Sequence, residues 1–85
     1  HILNDEEYKS ELEKKLLEEY NEVIETTNST DRIEELADMI EIIKALASLE
    51  DKTIEDVLEV AKQKAIKRGG FEEKIFLEKV ISDNN

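Results

Sequence analysis

Apolar residues recur every three or four positions along this chain, the spacing of one face of an α-helix. In the first segment Leu12, Leu16, Tyr20 and Val23 form such a stripe. This segment opens at Asn4, with Glu7 three residues on as in a capping box, and runs to about Glu25. Thr26, Thr27, Asn28, Ser29 and Thr30 then interrupt the pattern with poor helix formers that make good N-caps. A second helix is predicted to begin at Asp31, where Glu34 can reach back, and to end near Ser48. It carries Ile33, Leu36, Met39, Ile40, Ile43, Leu46 and Ala47 at helical spacing. Glu50, Asp51 and Lys52 turn the chain. Thr53 with Asp56 starts a third helix, whose stripe is Ile54, Val57, Leu58, Ala61 and Ala65 and which ends at Gly69 in the left-handed conformation. A short fourth helix is predicted from about Glu72 to Ile81, offering Phe71, Ile75, Phe76 and Val80.

These elements predict an all-α fold: a small bundle of three main helices and a short C-terminal one. The 85 residues make a single domain spanning 1–85, and a composition with no proline and 2 glycines agrees with a helical chain. The second helix has an apolar arc wider than half its circumference, more than one neighbouring helix covers. That places it at the centre of the bundle or at a subunit interface. A core this small gains from assembly, so a homo-oligomer, a dimer or tetramer, is expected.

Charge narrows the partners. With 23 acidic residues against 12 basic ones the net charge is −11, which a nucleic-acid duplex or an anionic membrane surface would repel. No apolar run reaches the length of a membrane span, and His1 to Asp5 has no signal-peptide pattern, so a cytoplasmic protein is expected. Cysteine is absent, which excludes a disulfide framework and a thiolate metal site.

Glu35 and Asp38 stand out against this pattern. At about 100° of rotation per residue, Glu35 projects between Met39 and Ile42, and Asp38 falls beside Ile42, Ala45 and Leu49. A carboxylate pair therefore interrupts an apolar arc, and buried charge without compensation is costly. On the first helix Glu19 and Glu22 form a second pair three residues apart, flanking the stripe of Leu16, Tyr20 and Val23. The short connection favours antiparallel packing of the two helices, which lets the pairs face one another. Four converging carboxylates make a hard-oxygen site, and with neither Cys nor internal His the natural occupant is Mg²⁺, with Mn²⁺ possible. Acidic motifs are common in so acidic a chain, so the position of Glu35 and Asp38 within the apolar face carries more weight than their spacing.

The third helix ends in basic residues. Lys64 and Arg68, one turn apart, suit either of two roles: contact with an anionic substrate, or simple stabilisation of the negative end of the helix dipole.

The arrangement Glu18-Glu19-x-x-Glu22, twelve residues, then Glu35-x-x-Asp38 resembles the signature of the all-α nucleoside triphosphate pyrophosphatases, the MazG-like superfamily. It is most similar to the phosphoribosyl-ATP pyrophosphohydrolase-like branch. Further likenesses are Asp5-x-Glu7-Tyr8, Lys15-Leu16-x-Glu18-Glu19, Glu34-Glu35-Leu36-Ala37-Asp38, and Lys64-x-x-x-Arg68-Gly69-Gly70-Phe71 followed by Ile75-Phe76-Leu77. The resemblance implies an oligomeric helical bundle with Mg²⁺ held by Glu19, Glu22, Glu35 and Asp38. It implies hydrolysis between the α- and β-phosphates of a nucleotide, giving a monophosphate and pyrophosphate. Glu18 would orient the attacking water or act as a base beside the metal ligands, and Lys64 and Arg68 would contact phosphate. The basic stretch that precedes the first helix in this branch has no counterpart before Asp5, so an N-terminal segment is expected to be missing.

Two other readings stand beside this one. The chain would be a non-catalytic acidic helical module if its acids are solvated, or paired with Lys14, Lys15 or Arg32 across an oligomer interface. A polyanion mimic rests on charge alone and ranks last.

Overall fold

The computed structural model describes residues 2–69. Among them are three α-helices and no strand: α1 (Asp5–Ile24), α2 (Ser29–Leu49) and α3 (Ile54–Arg68). The helix expected from Glu72 to Ile81 lies outside the described residues.

Local chemistry fixes each boundary. Asn4 caps α1: its side-chain oxygen accepts the Glu7 N–H at 2.8 Å, and a Glu7 carboxylate oxygen accepts the Asn4 N–H at 3.1 Å. Thr53 and Asp56 build the same reciprocal box at the start of α3, at 2.9 and 3.1 Å. The Thr53 backbone N–H, and then its hydroxyl, hold the Asp56 carboxyl below its usual pKa. Gly69 closes α3 at φ 90°, its N–H donating to the Ala65 carbonyl at 2.7 Å.

The start of α2 differs from the expectation of Asp31. The helix begins at Ser29, because Asn28 takes extended backbone angles and its side-chain oxygen accepts the Asp31 N–H at 2.9 Å. The Asn28 amide also donates to the Asp31 carboxylate at 2.9 Å, so Asp31 acts as a first-turn acid and Glu34 has no cap to reach. At its other end α2 stops in a Schellman arrangement. Lys52 N–H donates to Ala47 O at 3.0 Å and Asp51 N–H to Ser48 O at 3.0 Å, with Asp51 at φ 59° in the position glycine usually fills.

α1 lies along α2, and α3 meets α2 over a shorter stretch. The connection between α1 and α2 is tied by Thr26, whose hydroxyl donates to Val23 O at 2.6 Å and accepts from Arg32 Nε at 3.0 Å. Leu12, Leu16 and Val23 of α1 and Met39, Ile43 and Leu46 of α2 are half-buried, while Ile42 and Ala47 are buried. Tyr20, expected in the α1 stripe, is 50 % exposed. The contact line runs through Leu12, Leu16, Glu19 and Val23, so the next residue along the helix is rotated onto the flank. Ile33, Leu36 and Ile40 of α2 are likewise exposed.

Candidate metal site

Glu19 occupies the inward position of α1 that the apolar pattern assigns to a hydrophobic residue. It is 4 % exposed, among the most buried of the described residues. Glu35 of α2 is half-buried, and Glu22, one helical turn beyond Glu19, is exposed. Each of the three contributes a carboxylate oxygen to one group whose members all lie within 4.8 Å of one another. The antiparallel α1–α2 pair produces this convergence: an i, i+3 pair on one helix meets a single acid on the other.

Compensation among the described residues is partial. Lys15 reaches Glu19 Oε2 at 3.5 Å but also Glu18 Oε1 at 3.4 Å, and its own side chain is exposed. Glu18, and after it Glu19, raise the Lys15 pKa. Glu19 Oε1 and Glu35 Oε1 are buried and have no hydrogen-bond partner among the described residues. Ionised carboxylates supply no donor, so three of them together leave each other's lone pairs unmatched. Burial, then the hydrogen bonds that a protonated Glu35 can donate to Glu22 and Glu19, then the charges of those two acids push the Glu35 pKa up to about 7. A proton on Glu35 supplies the missing donor; a divalent cation would supply charge and coordination together. The donor set, all hard oxygen, fits Mg²⁺, Mn²⁺ or Ca²⁺. A group of three acidic residues able to hold a metal ion is thus present.

Three of the four acids expected as ligands come together in this way. Asp38 is exposed and falls outside the group. Its position on the α2 wheel is farther round from α1 than that of Glu35, which puts it at the rim. Sequence reasoning singled out Glu35 and Asp38 as the misplaced acids, whereas the most enclosed one is Glu19. The signal for it was present: Glu19 lies between the rotational positions of Leu12 and Lys15, only slightly off the line of Leu16 and Val23.

Glu18 is exposed and outside the group, held by Lys15. Lys64 and Arg68 are exposed on α3, and among the described residues neither is paired with the three acids. An apolar cleft of about 250 Å³ lies elsewhere, where α3 joins α2, lined by Ile43, Leu46, Ala47, Leu49 and Val57 with Lys9 and Glu50. Its lining has none of the three acids and no convergent polar groups, so it has no part in the metal site.

No family model matches the chain, and neither a curated protein nor a solved structure matches it. No described helix is long and apolar enough to cross a membrane.

Proposed function

We propose that the chain is a Mg²⁺-dependent nucleotide pyrophosphohydrolase that works as a homo-oligomer. The observation that carries the metal part is the pair of buried, unpartnered oxygens on Glu19 and Glu35, within a group of three acids. The nucleotide part rests on the resemblance of the acidic motifs and the Arg68-Gly69-Gly70-Phe71 block to the MazG-like enzymes.

In this reading Glu19, Glu22 and Glu35 hold Mg²⁺, with Asp38 joining from the rim. The ion, when bound, neutralises phosphate charge and lowers the pKa of a coordinated water. Glu18 lies one residue from Glu19 and one turn from Glu22, where its carboxylate accepts a proton from the attacking water. Water oxygen bonds to the α-phosphorus as the bond to the bridging oxygen breaks, and pyrophosphate leaves with the bond's electron pair. Lys64 and Arg68 bind phosphate oxygens and stabilise the leaving group.

One observation favours the non-catalytic module instead: Lys15 already neutralises part of the Glu18–Glu19 charge within the chain. A panel of ordinary and modified nucleoside triphosphates, with and without Mg²⁺ and scored for pyrophosphate, separates the two. Release that needs Mg²⁺ and is lost in Glu35→Gln supports the enzyme. No release from any nucleotide, with stability indifferent to Mg²⁺, supports the module.

A further inference from the structure

Among the described residues, Lys15 is the one cation that pairs with any of the three acids. Its ammonium lies 3.5 Å from Glu19 Oε2 and 3.4 Å from Glu18 Oε1. Both distances exceed those of a close charge-assisted hydrogen bond, so Lys15 is shared between two carboxylates and held tightly by neither. Nearby cations are engaged elsewhere. Lys14 pairs with Glu11 at 3.2 Å, and Arg32 of α2 is tied to Thr26.

The order of the residues argues against a role in supporting the helix. An i, i+4 pair stabilises a helix better when the acid precedes the lysine, and here Lys15 precedes Glu19. An exposed pair of this kind contributes little to stability in any case. What sets Lys15 apart is the acid it reaches. The Glu19 side chain is 6 % exposed, against 63 % for Glu18, so water and salt screen its charge far less. Packing holds Glu19 in place, because the lysine beside it is itself 55 % exposed. Lys15, Glu19 and Glu22 follow one another at i, i+4 and i+7 along one side of α1, so the ammonium flanks the acid group directly.

We infer that Lys15 is an internal counter-ion of the acid group, which supplies part of the missing positive charge in the metal-free chain and competes with a divalent cation for it. This rests on the metal part of the proposed reading and not on the reaction. A divalent ion among Glu19, Glu22 and Glu35 repels the ammonium beside Glu19. Binding of the ion therefore costs the Lys15 pairing, and the ammonium withdraws into solvent, as its exposed and flexible stem allows. Lys15 thereby does two things. It limits the repulsion among the acids when no ion is bound, and it raises the concentration of divalent ion needed to fill the site.

The test is calorimetric titration of Mg²⁺ into the 85-residue chain and its variants at fixed pH and ionic strength, with thermal unfolding of each in chelator. Lys15→Met keeps the length and helix propensity of the side chain and removes its charge. It should tighten Mg²⁺ binding roughly tenfold, the order of effect of a full charge a few ångströms from a divalent ion in a solvated site. It should also lower the melting temperature in chelator by a few degrees. Lys15→Arg keeps the charge and should behave as wild type in both measurements. Lys14→Met removes the same charge one residue away and should change neither, which separates local pairing from net charge.

Unchanged Mg²⁺ affinity in Lys15→Met overturns the inference, and so does a melting temperature in chelator that fails to fall. Weaker Mg²⁺ binding in Lys15→Met overturns it as well, and would make Lys15 a residue that positions Glu19. Equal tightening in Lys14→Met assigns the effect to net charge and has the same consequence. Wild-type binding matched by Lys15→Met leaves the metal reading intact and removes only the counter-ion. Absence of binding in both chains removes the two together, whereas binding by Lys15→Met alone supports both.

Discussion

Glu19 of α1 and Glu35 of α2 each keep one carboxylate oxygen buried with no hydrogen-bond partner among the described residues, and both belong to a group of acid oxygens within 4.8 Å of one another. A hydrophobic core would place leucines at these two positions. Without a cation the pair costs stability through desolvation and like-charge repulsion. Replacing Glu35 by Gln removes a charge and supplies an N–H donor to Glu19 or Glu22. The melting temperature of the metal-free protein should therefore rise in Glu35→Gln. Mg²⁺ at a hundred times its Kd should stabilise the wild-type chain by about 2.7 kcal/mol and the variant by almost nothing. Thermal unfolding with and without Mg²⁺ measures both effects. A variant that melts lower than wild type in chelator would mean that Glu35 has a structural partner and no ligand role.

The pH dependence follows from the same group. The Glu35 pKa stands at about 7 in the folded protein against 4.5 ordinarily, so between those values the folded state binds more protons than the unfolded one. Stability of the metal-free protein should then fall as pH rises from about 4.5 to about 7, and level off above. Glu35→Gln should flatten that slope. Protons and Mg²⁺ compete for the same carboxylate, so Mg²⁺ affinity of the wild type should decline as pH drops below about 7. Melting curves at a series of pH values, in chelator and in Mg²⁺, test the two trends separately.

Most of the architecture could be read from the sequence because its signals are local. Asn4 with Glu7 and Thr53 with Asp56 each satisfy backbone donors within four residues, and Gly69 fills a position that rewards the lack of a side chain. The start of α2 differs from the Asp31 expected because Asn28, Ser29, Thr30 and Asp31 can all cap. What decides among them is which backbone turns extended, here Asn28. Burial was harder to read. Tyr20 and Glu19 are adjacent, and the sequence pattern alone favours the aromatic for the core. The line along which α1 meets α2 reverses that choice, leaving Glu19 buried and Tyr20 exposed, and that line is a property of the pair of helices. The same limit explains Asp38: its spacing from Glu35 is right for a shared face, but the line of contact passes on the other side of it.

Asp51 offers a test of the backbone that is independent of function. It closes α2 at φ 59°, where a side chain is strained and glycine is not. Asp51→Gly should stabilise the protein by about 0.5 to 1 kcal/mol, the relief of strain exceeding the entropy glycine adds to the unfolded chain. Urea denaturation should show a higher midpoint with an unchanged slope. A lower midpoint would mean that the Asp51 side chain supplies an interaction beyond the Schellman hydrogen bonds.

The position of Asp38 separates a rim ligand from a bystander. It is exposed and one turn along α2 from Glu35, outside the group of three acids. A rim carboxylate that completes the coordination of a bound ion contributes less than an enclosed one, because water can replace it. Asp38→Asn should therefore weaken Mg²⁺ affinity several-fold, whereas Glu19→Gln or Glu35→Gln should remove measurable binding. The metal-free melting temperature should barely respond to Asp38→Asn, since little desolvation is relieved there. Calorimetric titration of Mg²⁺ into each variant gives the ranking. Equal losses at Asp38 and Glu35 would show that the ion draws Asp38 inward. No loss at Asp38 would confine the site to Glu19, Glu22 and Glu35, with water completing the coordination.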